Sequence, residues 1–230
     1  MGTARVNSMG AIHLLDAVRN KCPECMVVMA GSCDCFDHEA AGEEGVTIDT
    51  PILTTNPYAV SKMMAHRMAK CYRDEFGMRV SVGILFNHTS PGRPELFIER
   101  RIVRGLVRIA LAQKPKLVVG SIDRKRDWSW AEDIVDGFAR MGMLDKPADV
   151  VLASGQLHRI GDWAETVCRY LDLDIEKVIE VDDRRNHPGD RDSSFGNINA
   201  AKELLGWEPS VSFEEIARRL VKHDMVELQQ

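Results

Sequence analysis

The stretch "TTNPYAVSKMMAHRMAK" (Thr54–Lys70) contains the signals that begin a helix. Asn56 belongs to the residue types that cap helix N-termini, and Pro57 suits the first helical position, where a backbone N–H has no intrahelical partner. The helical pattern continues to about Phe76, and Gly77 is the residue type that most often follows a helix end. The sequence therefore predicts one long helix from Pro57 to Phe76.

Two side chains of this helix, Tyr58 and Lys62, are four residues apart and therefore share one face. An ammonium group near a phenol favours the phenolate, so the pair is expected to lower the pKa of the tyrosine. A tyrosine tuned in this way can take a proton from a sugar hydroxyl while a hydride leaves the same carbon. The spacing alone also occurs on ordinary exposed helix faces, so the interpretation depends on the surrounding elements.

Short apolar runs alternate with helical patterns along the chain. "MVVMAGS" (26–32) and "RVSVGILF" (79–86) predict buried strands, and apolar residues at helical spacing predict helices over 8–19 and about 96–112. Alternating strands and helices indicate an α/β fold with mostly parallel pairing. The stretch 87–95 contains two prolines and a glycine and is predicted to be a loop.

The first of these strands ends on small residues at Ser32. The carboxyl edge of a parallel sheet is where ligand sites of α/β proteins gather. The Ser32 hydroxyl can hydrogen-bond a substrate oxygen there, and Asp34, two residues on, can point into the same pocket. Ser32, Asp34, Tyr58 and Lys62 are therefore the candidate catalytic residues.

Several longer stretches resemble one known family. "NPYAVSK" and the Ser…Tyr-x-x-x-Lys order are typical of the extended short-chain dehydrogenase/reductases. Within that superfamily the chain resembles the GDP-mannose 4,6-dehydratase family. The stretches that carry the finer resemblance are "TARVNSMGAIHLLDAVR" (3–19), "GILFNHTSPGRPELFIERRI" (83–102), "GSIDRKRDWSWAEDIVDG" (120–137) and "AKELLGWEPSVSFEEIARRLVKHD" (201–224).

The resemblance implies a specific fold. It identifies the chain as the C-terminal portion of a Rossmann-like doubly wound parallel sheet plus a smaller α/β substrate-binding lobe. Residues 1–86 are expected to form a partial Rossmann-like cofactor and catalytic part. Residues 87–230 are expected to form mainly the substrate-binding lobe, with some segments returning to the Rossmann part.

The resemblance also implies a reaction, in which NADP, or alternatively NAD, serves as cofactor. Tyr58 takes the proton of the C4 hydroxyl while the hydride leaves C4; a carboxylate then removes the C5 proton, water leaves C6, and the hydride returns to C6. The family has Thr-Ser-Glu where this chain has Ser32-Cys33-Asp34. Asp34 keeps the carboxylate, but its side chain is one methylene shorter than the family's glutamate. Misplacing a catalytic group by about 1 Å costs about 10²-fold in rate.

Further site residues follow from the same resemblance. Tyr58, Lys62, His88 and Arg93 fall on cofactor-contacting positions. The substrate positions are Asn87, Arg101, Arg126, His187 and Asp190. Arg101 and Arg126 are candidates for the nucleotide phosphates, with a polar helix edge and a solvated "RKR" face as their respective alternatives. In the late loop the family has arginine where this chain has His187, which weakens the assignment of GDP as the base carrier.

No G-x-x-G-x-x-G motif occurs in the sequence. Family members begin with a strand and this glycine turn, which seats the cofactor pyrophosphate. Three explanations stay open: a fragment of a full enzyme, one half of a split enzyme, or a catalytically silent binding protein. A 4-keto nucleotide-sugar reductase or epimerase is the alternative activity. The expected partners are a nucleotide-sugar substrate and either a separate N-terminal half or a homo-oligomer.

Composition and charge exclude some classes. A net charge of -5 and a pI of about 5.8 give no general basic bias toward nucleic acid or membranes. No apolar run approaches the roughly 18 residues of a membrane helix, and the N-terminus lacks a signal-peptide core, so a cytoplasmic protein is expected. "CPEC" (22–25) and "CDC" (33–35) leave a zinc site or a redox pair as alternatives, but the favoured interpretation is reduced thiols and no metal.

Overall fold

The structure, a computed structural model, describes residues 2–186 and 191–229. The helices, numbered along the chain, are α1 (Gly2–Ala4), α2 (Gly10–Lys21), α3 (His38–Ala41), α4 (Pro57–Phe76), α5 (Ile98–Ala110), α6 (Ala131–Gly142), α7 (Ile160–Leu171), α8 (Ile175–Val178), α9 (Asn199–Leu205) and α10 (Phe213–Leu228). The strands are β1 (Val27–Ala30), β2 (Val80–Leu85), β3 (Asn87–Thr89), β4 (Leu117–Val119), β5 (Lys125–Arg126), β6 (Trp128–Trp130), β7 (Val150–Leu152), β8 (His158–Arg159) and β9 (Ile179–Val181). The α/β prediction is confirmed.

The chain forms two compact units. The first comprises the chain up to Phe86 together with Glu132–Gly155 and Phe195–Glu208. The second comprises Asn87–Ala131, Gln156–Ser194 and the chain from Pro209 onward. The cofactor and substrate roles expected for the two parts stay predictions. No helix in the described ranges has both the length and the apolar character that a bilayer-spanning helix requires.

A parallel three-stranded sheet in the order β1-β2-β7 forms the centre of the first unit. Ala30 at the end of β1 pairs with Gly83 of β2, which pairs with Val150 of β7. The strands are apolar on both faces because helices cover a parallel sheet from both sides. The buried side chains that pack around it include Leu15, Tyr72, Val80, Val82, Ile84, Phe86 and Val151.

The carboxylate of Asp149, directly before β7, fastens α4 to this sheet. It accepts two hydrogen bonds from the Arg73 guanidinium, at 2.8 and 3.0 Å, and lies 3.1 Å from His66 Nε2. It also accepts the backbone N–H of Val82 at 2.9 Å, while Arg73 donates to the Val80 carbonyl at 2.8 Å. The Asp149 cluster, which consists of Asp149, Arg73 and His66, therefore links α4, β2 and β7 through charged hydrogen bonds.

Small strand pairs and three long helices build the second unit. β3 pairs with β6, and β4 with β9, in parallel; β5 pairs with β8 in antiparallel fashion. Trp128, Trp163 and Phe213 pack together in its core, with the Trp128 and Trp163 ring centroids 5.5 Å apart. Arg100 and Asp224 form a 2.8 Å ion pair with no exposed surface on either side chain, joining α5 to α10.

Two features differ from the sequence predictions. The predicted loop 87–95 begins with β3, because β6, some forty residues later, supplies a parallel partner that the local sequence cannot reveal. Cys22 and Cys25 are joined in a disulfide, so the prediction of reduced thiols is wrong for this pair. The turn between α2 and β1 brings their Cα atoms to 5.6 Å, within the usual range for a disulfide.

The Asp149 cluster predicts a large loss of stability on substitution. Asp149→Asn keeps the shape but leaves the partly buried guanidinium of Arg73 without its charge partner, so we expect it to lower the free energy of unfolding by about 3 kcal/mol. The matched control is Asp74→Asn, which removes the exposed Lys70–Asp74 pair and should cost roughly 0.5 kcal/mol or less. Equal midpoints of the two variants in urea unfolding would contradict this account.

The same cluster predicts a pH dependence. Burial raises the pKa of Asp149, but the hydrogen bonds from Arg73 and His66 outweigh it and hold the pKa well below its usual range. The unfolded chain binds this proton near pH ~3.9, so the ionised carboxylate stabilises the fold above that pH and loses this effect as pH falls. The stability difference between wild type and Asp149→Asn should be constant at neutral pH and shrink below about pH 4. A difference that grows on acidification would exclude this role.

Candidate active site

The start of α4 fixes the position of Tyr58. The Asn56 side chain accepts the Ala59 N–H at 2.9 Å, and Pro57 occupies the first turn, as the sequence predicts. At the other end, Gly77 adopts φ 64° in the left-handed region, which glycine tolerates at no steric cost. The predicted bounds of this helix are confirmed, and Tyr58 lies in its first turn.

Ser32 lies at the carboxyl end of β1 and is buried. The preceding Gly31 packs so closely on β2 that a Cβ there would lie 2.9 Å from side-chain atoms of both Val82 and Ile84. A larger residue here would force these β2 side chains to shift; after Ser32 the chain enters a 3-10 turn, Cys33–Cys35. The Ser32 hydroxyl accepts the N–H of Asp34 at 3.3 Å and hydrogen-bonds the Tyr58 side chain.

The electrostatics of Tyr58 differ from the sequence expectation. Burial raises the pKa of the phenol; the hydrogen bond from Ser32 lowers it, and the nearby charge of Asp34 raises it further. The expectation that Lys62 lowers this pKa is wrong for this structure, because the ammonium lies 6.0 Å from the ring centroid and donates elsewhere. Tyr58 is thus a protonated phenol at neutral pH in this state of the chain.

Lys62 links the helix to the end of β1. Its Nζ donates to the Ala30 carbonyl at 3.1 Å, one residue before the glycine that leads to Ser32. Burial lowers the pKa of Lys62, while the neighbouring Cys35 raises it. The bond to Ala30 points the ammonium at the edge of the sheet where Ser32 and Tyr58 also lie.

Backbone contacts hold the 3-10 turn that carries Asp34. The Cys35 thiol donates to the Ala59 carbonyl at 3.3 Å, and a ring nitrogen of His38 lies 2.9 Å from the Cys33 carbonyl. These contacts tie the turn to α4 on one side and to α3 on the other. The two cysteines beside Asp34 are buried structural elements of the site.

A further group of residues supports Tyr58 and was missed in the sequence. The Asn7 side chain donates to Ser61 Oγ at 3.0 Å, and the Ser8 hydroxyl donates to the Ser61 carbonyl at 3.0 Å. Ser61 in turn donates to the Tyr58 carbonyl at 2.7 Å. Asn7 and Ser8 lie in a π-helical stretch, Arg5–Met9; such stretches recur at functional sites but leave no periodic signal.

The predicted cofactor and substrate residues of the second unit lie apart from this cluster in the chain. Asn87 and His88 are on β3, each half-buried. The Arg93 guanidinium pairs with the buried carboxylate of Glu99 at 2.5 Å and stacks 3.6 Å over the Phe97 ring. Arg93 is thus held in place by α5 rather than extended into solvent.

Two further arginines and two late-loop residues complete the predicted set. Arg101 donates to the Leu96 carbonyl at 3.1 Å, and Arg126 donates to the Lys125 carbonyl at 2.8 Å. Both side chains are half-buried. His187 and Asp190 lie outside the described residues. The structure thus brings Ser32, Asp34, Tyr58 and Lys62 together, and places Asn87, His88, Arg93, Arg101 and Arg126 in the second unit.

Comparison with known proteins decides the family. A sequence model of the family described as "GDP-mannose 4,6 dehydratase" matches residues 1–220. The chain belongs to the GDP-mannose 4,6-dehydratase family. A relative from Arabidopsis thaliana, "GDP-mannose 4,6 dehydratase 2", is 35% identical over 227 residues, which cover 97% of this chain and 60% of that protein. The corresponding Dictyostelium discoideum protein is 32% identical over 240 residues, covering 97% of this chain and 67% of the relative.

The chain therefore spans about 60% of the length of its plant relatives: the matched region is 60% of one Arabidopsis thaliana protein and 62% of the other.

Solved structures show the fold. RMD from Pseudomonas aeruginosa complexed with NADPH superposes with a TM-score of 0.86 at 23% identity, covering 97% of this chain and 74% of that one. A dTDP-glucose 4,6-dehydratase from Bacillus anthracis in complex with NAD superposes with a TM-score of 0.83 at 21% sequence identity. The match covers 95% of this chain and 67% of that one. The Rossmann-like assignment is confirmed.

The hydrogen bond between Ser32 and Tyr58 predicts the titration of the phenol. Ser32→Ala removes a donor that stabilises the phenolate, so the pKa of Tyr58 should rise further. The measurement is the tyrosinate absorbance titration of each variant, with Tyr58→Phe subtracted to isolate this residue. Ser32→Thr keeps the hydroxyl and should leave the pKa near that of the wild type. A lower pKa in Ser32→Ala would show that the serine does not donate to Tyr58.

Proposed function

We propose that this chain forms the catalytic and substrate-binding part of a nucleotide-sugar 4,6-dehydratase, a lyase that converts GDP-mannose to GDP-4-keto-6-deoxymannose. The observation that carries the proposal is the convergence of Ser32, Asp34, Tyr58 and Lys62 at the carboxyl end of β1, in a chain that matches the family over residues 1–220. Because the chain spans about 60% of its plant relatives, the proposed activity requires the remaining N-terminal part.

The donors at this edge of the sheet fit a nicotinamide dinucleotide. Lys62 Nζ has three N–H donors, and within the described residues one of them is used on the Ala30 carbonyl. The others can hold ribose hydroxyls, with Tyr58 beside them and His88 and Arg93 as further proposed contacts. NADP is the proposed cofactor and NAD the alternative. When bound, the cofactor would accept the hydride from C4 and return it to C6.

The roles of the chain's own residues follow from the site. In the free site the Ser32 hydroxyl donates to Tyr58; with substrate bound it can donate instead to the C4 oxygen, while Tyr58 takes the proton of the C4 hydroxyl. The raised pKa of Tyr58 in this structure means that proton removal needs a positive charge bound beside the phenol, which favours the phenolate. Lys62 has the separate role of holding the cofactor ribose from its position beside the Ala30 carbonyl.

Asp34 is the proposed base for the elimination. The 4-keto group makes the C5 proton acidic; the Asp34 carboxylate removes it and passes it to the C6 hydroxyl, which leaves as water. A proton from the solvent is later added to C5 as hydride arrives at C6, and Tyr58 releases the proton of the C4 hydroxyl to the solvent, so the overall change is the loss of one water. The 3-10 turn holds Asp34 near enough to Tyr58 for its charge to raise the pKa of the phenol, which supports its assignment to the same substrate.

The second unit is the proposed substrate-binding lobe, and the first unit the proposed catalytic part. Asn87 is assigned to the sugar, and Arg101, Arg126, His187 and Asp190 to the nucleotide diphosphate and base. Both arginines are half-buried, and a planar fork of guanidinium donors suits a diphosphate. The proposed compartment is the cytoplasm, which holds the pools of nucleotide sugars and nicotinamide dinucleotides.

The proposed partner is a separate N-terminal half that carries the glycine-rich turn. β1 is an edge strand of the described sheet; three of its residues are half-buried and the fourth, Ala30, is exposed. Its unpaired backbone groups can accept a further parallel strand, and pairing there would also cover an association-prone edge. A homo-oligomer is a second proposed partner, supported by the apolar side chains of Val60 and Met64, which are 53% and 44% exposed on α4.

The direct test is product formation by the complete assembly. The chain, joined to or mixed with a glycine-rich N-terminal half, is incubated with NADP+ and GDP-mannose, and the 4-keto-6-deoxy sugar is detected by mass spectrometry. Tyr58→Phe should reduce turnover by about 10²- to 10⁴-fold. Tyr170→Phe, on an equally exposed tyrosine of the second unit, should not change it. An active wild type with an equally active Tyr58→Phe would remove Tyr58 from the mechanism.

Substitution of Asp34 separates the elimination from the oxidation. Asp34→Asn should stop product formation while C4 oxidation still generates reduced cofactor, seen at 340 nm. Asp34→Glu restores the reach of the family residue, and a gain of up to about 10²-fold is expected if reach limits the rate. Persistence of the keto product in Asp34→Asn would assign the base elsewhere. A complete assembly that oxidises or epimerises the sugar without dehydrating it would instead favour a reductase or epimerase.

A further inference from the structure

The turn between α2 and β1 is closed by the Cys22–Cys25 disulfide. Backbone bonds define this turn without the sulfur atoms. The Cys22 N–H donates to the Val18 carbonyl at 2.8 Å, and the Cys25 N–H donates to the Cys22 carbonyl at 2.9 Å. Pro23 occupies the second turn position, which its ring geometry favours. The two cysteines are therefore held at bonding separation, with Cα atoms 5.6 Å apart, by the chain itself.

Both cysteines are exposed on the surface of the first unit. A small thiol or disulfide can reach either sulfur, and exchange proceeds by attack of a thiolate on an accessible sulfur. The turn follows the C-terminal end of α2, whereas redox-catalytic C-x-x-C pairs open a helix whose N-terminus stabilises the thiolate. The location thus suits a reversible disulfide crosslink rather than the active site of an oxidoreductase.

We propose that Cys22 and Cys25 form a reversible thiol–disulfide site whose oxidant is a low-molecular-weight disulfide of the glutathione class. One thiolate attacks glutathione disulfide, forming a mixed disulfide and releasing one glutathione thiolate. The second cysteine thiolate attacks the mixed disulfide and releases the other glutathione. The two cysteines lose two electrons and two protons, and the glutathione disulfide gains them. Glutathione thiol reverses both steps.

The site acts on the elements that it connects. The end of α2 packs on α4, where Tyr72 donates to Asp16 at 2.5 Å and the Arg19 guanidinium lies 3.9 Å over the Phe76 ring. The other side of the turn leads into the edge strand β1. Oxidation therefore restrains the start of β1 and the end of α2. Ser32 lies beyond the opposite end of β1. The disulfide therefore regulates the stability of the edge strand and leaves the proposed catalytic residues in place.

The other cysteines provide internal controls. Cys33, Cys35 and Cys168 are buried, whereas Cys71 on α4 is an exposed thiol. The purified full chain carrying Cys71→Ser is equilibrated in buffers with increasing ratios of glutathione disulfide to glutathione. Remaining thiols are alkylated, and the peptide containing residues 22–25 is analysed by mass spectrometry. We expect loss of both alkylation sites in oxidising buffer, with a mass lower by two hydrogens and no glutathione adduct, and full recovery in reducing buffer.

Single substitutions identify the pair. Cys22→Ser and Cys25→Ser should each leave the remaining cysteine with a glutathione adduct instead of a protected, adduct-free state. Two alkylated cysteines at every buffer ratio would overturn the proposal, and so would a bond that persists at every ratio. Hydrogen exchange gives a second readout: amides of Val27 and Val28 should exchange more slowly in the oxidised form, while those around Ser32 stay unchanged. Equal exchange in both forms would remove the proposed effect on β1.

Discussion

The placement of α4, the helix that carries Tyr58 and Lys62, depends on the carboxylate of Asp149. Arg73 and His66 on α4 converge on it, and so does the Val82 N–H of β2. The helix enters this cluster near its C-terminal end and presents Tyr58 and Lys62 at its N-terminal end. Any rotation of α4 that moved Tyr58 away from Ser32 would therefore also break charged hydrogen bonds at Asp149. The Asp149 cluster, on the other half of α4, therefore fixes the orientation of Tyr58 relative to Ser32, because the helix between them is rigid.

A second constraint is the burial of the site itself. Desolvation raises the pKa of Tyr58 and lowers the pKa of Lys62, so burial disfavours the charged form of both residues. The hydrogen bond from Ser32 opposes this for the phenol. The chain alone thus holds a protonated Tyr58. A positive charge bound beside the phenol would favour the phenolate, which is the requirement that the proposed mechanism places on the bound cofactor.

The sequence predicts those features that depend on local signals. The bounds of α4 follow from Asn56, Pro57 and Gly77, and β1 follows from an apolar run that ends at Ser32. Features that depend on distant partners are not predictable in this way. Asp149 lies 76 residues from Arg73 and 83 from His66, and Asn7 lies 54 from Ser61. The π-helical stretch, the β3–β6 pair and the Cys22–Cys25 bond likewise depend on backbone geometry that composition and periodicity do not encode.

The central claim is that Tyr58 and Asp34 act in turn on one sugar, so that the C5 proton exchanges with solvent while the hydride stays within the substrate. Conversion of GDP-mannose by the complete assembly in deuterium oxide tests this directly. Nuclear magnetic resonance of the product should show one deuterium at C5 and none in the hydride position delivered to C6. A product without deuterium at C5, or with a solvent deuterium in the hydride position at C6, would contradict the account.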